Sequence, residues 1–194
     1  MRAAVIIVSC LTLAVAAFAL WPRDSTTASD ACGATVGKPS VIGTAAAGQV
    51  TICLLNRERA HHGLPALREN GLLSAASLEH SQDMVRRRYF EHTAPDGRDV
   101  IARLRAIGYA RGTSASTGEN IAYGFGAEST PAAIVRLWMN SPGHRADILR
   151  RSFTEIGIGI APGAPELPER KQADSATYTT DFGGVFDPSL GSGQ

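Results

Sequence analysis

Residues 130–160 read TPAAIVRLWMNSPGHRADILRRSFTEIGIGI, and the fold class turns on a change of period within them. Thr130 and Pro131 make a helix start. The hydroxyl accepts from a free N–H of the first turn, and the proline lacks an N–H where none is needed. Ile134, Leu137 and Trp138 follow at three- and four-residue spacing, the apolar stripe of a helix, until Pro142-Gly143 ends it. From Ile156 the period is two. Ile156, Ile158 and Ile160 alternate with Gly157 and Gly159, which predicts a strand whose glycines admit a close neighbour.

Before this stretch the periodicity is helical. Val50, Cys53 and Leu54 mark a helix from about Ala46, with Arg57, Glu58 and Arg59 beyond them and Gly63 as its stop. A second helix fits Gly71 to Arg88, with Leu73, Ala76, His80, Met84 and Arg87 on its spacing. Pro95-Asp96-Gly97 is a turn, and Asp99 caps a short helix that Gly108 ends. Residues 109–118 read as a Gly/Ser/Thr-rich loop. After the isoleucine strand, residues 161–175 hold three prolines and mixed charge, a surface loop, and residues 177–183 form a last strand. Helices early and strands late predict an α+β fold instead of alternating βαβ units.

The chain has 194 residues, 44% hydrophobic and 19% charged, enough for one packed domain and too apolar for disorder. Nineteen Lys+Arg against eighteen Asp+Glu argue against a nucleic-acid binder, which needs a basic surplus. Residues 3–21 carry no charge, Arg2 precedes them, and Ala17-Phe18-Ala19 supplies small residues for cleavage. Residues 1–19 therefore read as a secretory signal. An uncleaved anchor is the alternative, since nineteen apolar residues approach the ~20 of a spanning helix. Both routes export the domain, to the extracellular space or the cell envelope, and only the anchor would attach it to a membrane. Cleavage leaves equal numbers of basic and acidic residues and two cysteines, Cys32 and Cys53, which predict a disulfide. Residues 20–47, rich in Ser, Thr, Ala and Gly, read as a linker, 48–187 as the domain and 188–194 as a tail.

The usual hydrolase and nucleotide signatures are absent: no GxSxG, HExxH, P-loop or GxGxxG. Arg86-Arg87-Arg88 suits the C-terminal end of a helix dipole and needs no polyanion. The remaining polar residues concentrate in four stretches, at 89–92, 118–122, 138–145 and 178–183. Two imidazoles and a carboxylate among them have the composition of a divalent-metal site or a proton-transfer network. Satisfied structural side chains would look the same, because His92 and His144 are 52 residues apart and only the fold can join them.

Taken together, Leu55-Asn56-Arg57-Glu58-Arg59, His80-Ser81-Gln82-Asp83-Met84, Tyr89-Phe90-Glu91-His92, Gly118-Glu119-Asn120, residues 138–149, Ile156-Gly157-Ile158-Gly159 and Asp181-Phe182-Gly183 resemble the bacterial branch of the CAP superfamily. That superfamily includes cysteine-rich secretory proteins, antigen 5 and pathogenesis-related proteins. The resemblance implies an α-β-α sandwich with a central, mostly antiparallel sheet, and a cavity lined by two histidines and two acids. Position by position, His92 and His144 resemble the histidines and Glu119 the first acid. The second acid would follow Trp138 by three residues, where this chain has Ser141, and a hydroxyl supplies neither the charge nor the base strength of a carboxylate. His61 and His62 sit at a helix end, and His80 reads as a hydrogen-bonded core residue. The implied function is an exported, monomeric, non-catalytic module. It would take a small apolar or lipid-like ligand or an envelope component, with no required cofactor and Zn²⁺ as the metal that His92 and His144 would hold. A metal-assisted hydrolase with Glu119 as base and a structural envelope module are the alternatives.

Overall fold

A computed structural model describes residue 32 and residues 37–109 and 114–186. The expected signal at 1–19, the first part of the linker and the tail at 188–194 lie outside these residues. The described elements run α1 (Pro39–Ile42), α2 (Thr44–His61), β1 (Arg68–Glu69), α3 (Gly71–Arg87), α4 (Val100–Ala106), β2 (Ser114–Phe125), α5 (Pro131–Asn140), α6 (Pro142–Ile148), β3 (Glu155–Pro162), α7 (Glu169–Gln172) and β4 (Ser175–Phe186). A 3-10 turn, Gly126–Ser129, joins β2 to α5. No helix among the described residues is long and apolar enough to cross a membrane.

The strands form one sheet in the order β1-β3-β4-β2, with β1 parallel to β3 and the other pairings antiparallel. Helix α3 packs on one face through β3 and β4. On the other face α2 packs on β3, while α5 packs on α2 and β2. This is the expected α-β-α sandwich. Its main core lies on the α2/α5 side, where Ile156, Ile158, Ile160, Tyr178 and Phe182 meet Leu55, Ile134 and Trp138. A smaller cluster, Leu73, Ala76, Leu104 and Tyr109, sits on the α3 side.

The helix starts follow local chemistry. Thr130 accepts from Ala133 N–H at 3.3 Å with Pro131 in the first turn, and Asp99 accepts from Ala102 N–H at 2.7 Å. Asn70 caps α3 through Leu72 and Leu73 N–H. Within α5 the buried stripe holds Ile134 and Trp138, whereas Leu137 is 49% exposed and lies off the face predicted for it.

The alternation in β3 separates the two faces. A Cβ added at Gly157 would lie 2.1 Å from the Leu73 carbonyl carbon, and one at Gly159 would lie 2.0 Å from Leu78 N. The neighbour anticipated from these glycines is therefore α3, close enough for polar links in place of side-chain bulk. Ser81 Oγ–H donates to the Gly159 carbonyl at 2.9 Å, and Ser77 Oγ–H donates to Asp181 Oδ2 at 2.8 Å.

Several boundaries differ from the sequence reading. The end of the predicted linker is helical, with α1 at Pro39–Ile42 and α2 starting at Thr44. The predicted loop at 109–118 gives way to β2 from Ser114. That strand has few β-branched residues, and its support is a ladder to β4 running from Ser114↔Phe186 to Phe125↔Ser175. Pro142-Gly143 ends α5 but also opens α6, since proline suits a first turn. The loop at 161–175 contains the short α7.

Cys32 and Cys53 are joined as a disulfide, their Cα atoms 5.5 Å apart. The bond ties the segment before α1 to α2. With 21 residues of sequence separation, reduction is expected to cost about 3 kcal/mol of stability in the chain-entropy model. Urea denaturation with and without a reductant checks this, and coincident curves would contradict it.

Candidate functional site

Glu119 lies on β2, opposite Asp181 on β4, and its side chain turns toward the α3 face of the sheet. Its side chain is only 2% exposed. A buried carboxylate needs donors, and the surrounding elements supply them. The guanidinium of Arg103, itself 3% exposed on α4, donates from one terminal nitrogen to Glu119 Oε2 in a short, charge-assisted contact. Its other terminal nitrogen donates to the carbonyls of His92 at 2.9 Å and Arg98 at 3.2 Å. His92 Nδ1–H donates to Glu119 Oε1 at 2.7 Å. Arg103 thus holds both the carboxylate and the backbone of the histidine that meets it.

Burial pushes the Glu119 carboxyl up, but the His92 hydrogen bond and the Arg103 charge outweigh it and leave Glu119 below the usual carboxylate value. The hydrogen bond to Glu119 raises His92 above the ordinary imidazole value, against some desolvation. The His92 ring is 53% exposed, so this anchored imidazole still faces water.

His144 sits in the first turns of α6, half-buried, and Asn120 Nδ2–H donates to its carbonyl at 3.1 Å. Burial lowers its pKa, and the charge of His92 lowers it further, so the two imidazoles lie within electrostatic reach of each other. Ser141 stands at the α5–α6 junction, half-exposed, and its hydroxyl caps neither helix.

His80 is 1% exposed, its Nε2–H donates to the Glu91 carbonyl at 3.1 Å, and burial lowers its pKa. It is a neutral core histidine, 3.8 Å from Glu119 Oε1. His61 and His62 are exposed at the end of α2, and His62 Nδ1–H donates to the Glu58 carbonyl at 2.8 Å. Sequence reasoning assigned no role to Arg103, the principal partner of Glu119. It falls within a short amphipathic helix, and nothing in the local pattern separates it from the exposed Arg105.

The donor set does not fit a resident zinc ion. Both Glu119 oxygens and His92 Nδ1 are already engaged, which leaves His92 Nε2 and the His144 ring as available donors. Among the described residues no three His, Cys, Asp or Glu side chains form a metal-holding group. A zinc centre takes at least three protein donors. Glu119 also suits a general base poorly, because its charge is stabilised and its lone pairs are directed to fixed donors.

The sequence profile of the cysteine-rich secretory protein family, CAP, matches residues 53–166. The protein YkwD of Bacillus subtilis (strain 168) is 40% identical over 106 residues, covering 55% of this chain and 39% of YkwD. An extracellular protein containing an SCP domain from Bacillus anthracis str. Ames shares the fold with a TM-score of 0.59. It is 29% identical, over 72% of this chain and 41% of that one. An outer surface protein from Borrelia burgdorferi has a TM-score of 0.59 at 17% identity, covering 71% of this chain and 92% of its own. The chain thus spans about two fifths of the length of the curated relative YkwD.

Proposed function

Because this chain belongs to the cysteine-rich secretory protein family, we propose that it is an exported, non-catalytic binding domain whose His92/Ser141/His144 face holds a small lipid-like or envelope-derived ligand by an anionic end. The observation that carries this reading is the engagement of Glu119. It is buried and bound to Arg103 and His92, so its chemistry is spent on orienting His92. What faces outward is an exposed imidazole favoured in its charged form, flanked by the half-buried His144, whose Nδ1 is buried without a partner, and the half-exposed Ser141 hydroxyl. These groups suit an anion and include no activated nucleophile. The same engagement weighs against the hydrolase alternative. The Bacillus anthracis relative is described as extracellular, which supports export.

Sodium octanoate, a carboxylate with a short apolar tail, is the probe. Its addition is expected to shift the imidazole NMR signals of His92 and His144, and His92→Ala/His144→Ala is expected to weaken binding about tenfold or more. The sign of the pH dependence follows from His92. Its pKa is raised in the folded protein, so its charge is gained as pH falls through that value, and binding should tighten from about pH 8 to about pH 6. Octanoate affinity that ignores both the double variant and pH would overturn the reading. So would turnover of an ester or peptide that Glu119→Gln abolishes.

A further inference from the structure

The sequence stretch Asp181-Phe182-Gly183 has no part in the proposed ligand face, yet Asp181 is 0% exposed and sits opposite Glu119 in the β2–β4 ladder. Directly opposed residues of an antiparallel pair have their side chains on the same face, about 5 Å apart at Cβ. Here both side chains lie on the α3 face of the sheet, Glu119 beside His80 and Asp181 on Ser77 of the same helix.

The groups that face this pair come from three segments. Helix α3 contributes Ser77 and the neutral His80, α4 contributes Arg103, the loop before α4 contributes His92, and β2 and β4 carry the carboxyls themselves. Their donors are divided unequally. Glu119 receives the guanidinium and the His92 N–H. Asp181 Oδ2 receives only the Ser77 hydroxyl at 2.8 Å, and Ser77 Oγ in turn accepts the Asp181 N–H at 3.2 Å. Asp181 Oδ1 is buried and has no donor at all.

With the guanidinium and the His92 N–H both committed to Glu119, an ionised Asp181 would be a buried charge with no cation of its own. One proton between them removes the repulsion and supplies the missing donor. Glu119 has the cation and the stronger donors, so the proton belongs on its neighbour. We infer that Asp181 is a neutral carboxylic acid whose Oδ1–H donates to Glu119, making it a positioning residue that holds Glu119 from the side opposite His92. The assignment satisfies both carboxyl groups: Oδ1 becomes a donor, Oδ2 keeps the serine, and Glu119 retains lone pairs to accept a third hydrogen bond. Burial and the adjacent Glu119 charge hold the Asp181 carboxyl well above the usual carboxylate range, in the same direction.

The site therefore has a second acid, placed inward of Glu119 by β4, where residue 141 is a serine. Its neutrality keeps the Glu119–Arg103 pair electrically balanced. The charge offered to solvent is then set by His92 and His144 alone. This inference rests on the buried pair and is independent of what the outer face binds.

The test is infrared spectroscopy of the whole protein with ¹³C NMR of selectively labelled aspartate. At neutral pH the wild type is expected to show the carbonyl stretch of a protonated carboxyl, together with one aspartate resonance in the protonated range. Both should persist to about pH 8. Asp181→Asn should remove both and keep the fold, since its amide N–H replaces the acid O–H, and should leave the His92 pKa unchanged. A neutral-pH protein without a protonated carboxyl overturns the inference. A band that survives Asp181→Asn and disappears in Glu119→Gln puts the proton on Glu119 and overturns it as well. A fall of the His92 pKa in Asp181→Asn would mean that Asp181 is ionised in the wild type. If Asp181→Asn does not fold, the wild-type aspartate resonance decides alone.

Discussion

Arg59→Met is expected to destabilise the domain by about 3–5 kcal/mol, a fall of roughly 10–15 °C in Tm for a domain of this size. Arg59 is 1% exposed, and among the described residues it has no carboxylate partner. Its charge is instead held by four carbonyls. Nε–H donates to Pro65 at 2.9 Å, one terminal nitrogen donates to Ile148 at 2.8 Å and Arg150 at 3.0 Å, and the other donates to Phe153 at 3.1 Å. These acceptors belong to the loop after α2, the end of α6 and the approach to β3. One side chain therefore ties α2 and the loop after it to the distant stretch 148–153, and it caps a short helix whose last carbonyls lack intrahelical partners. Methionine fills much of the volume but leaves buried acceptors without donors, and that is the larger cost. Arg59→Lys keeps the charge and loses the fork, so it should fall between wild type and Arg59→Met. Urea denaturation measures both. A loss below about 1 kcal/mol for Arg59→Met would show that water replaces the guanidinium without penalty.

Gly159→Ala is expected to cost about 3 kcal/mol or more, the upper end of overpacking effects. The added methyl carbon would lie 2.0 Å from Leu78 N, 2.2 Å from Leu78 Cα and 2.3 Å from the Ser77 carbonyl carbon. These are backbone atoms of α3, so no rotamer change relieves the clash and the helix has to move off the sheet. That movement also pulls Ser81 from the Gly159 carbonyl and Ser77 from Asp181. The site should register it, with His92 titrating closer to an unperturbed imidazole as Glu119 loses its setting. Ile158→Val on the opposite face is the control, at about 1 kcal/mol and with no change in His92. A Gly159→Ala protein with wild-type stability and an unchanged His92 would mean that α3 is not seated as described.

The helix stretches and the isoleucine strand were legible because each has a strong local cause. Thr130-Pro131 and Asp99 are caps, and the glycines between the β3 isoleucines mark the approach of another backbone. Strand β2 was not legible, because Gly118, Gly124 and its small polar residues have no strand pattern of their own. Its conformation comes from hydrogen bonding to β4 along its length. Arg59 and Arg103 were illegible for a related reason. Arginine on a helix is ordinarily solvated, and only the carbonyls or carboxylate brought to it by distant segments make burial tolerable.

For the site, His92, Glu119, Ser141 and His144 could be named from the chain, while their relations could not. Sequence by itself determined the helices α3, α4 and α5, most of α2, the strands β3 and β4, the pairing of Cys32 with Cys53, and which polar residues are concentrated. These depend on neighbours within a few residues or on composition. The tertiary structure alone decided that Glu119 is held by Arg103 and His92 and is no free base, and that Asp181 places a second carboxyl opposite Glu119. Protonation and charge depend on burial and on partners 16 to 104 residues away along the chain, distances at which local pattern carries no information.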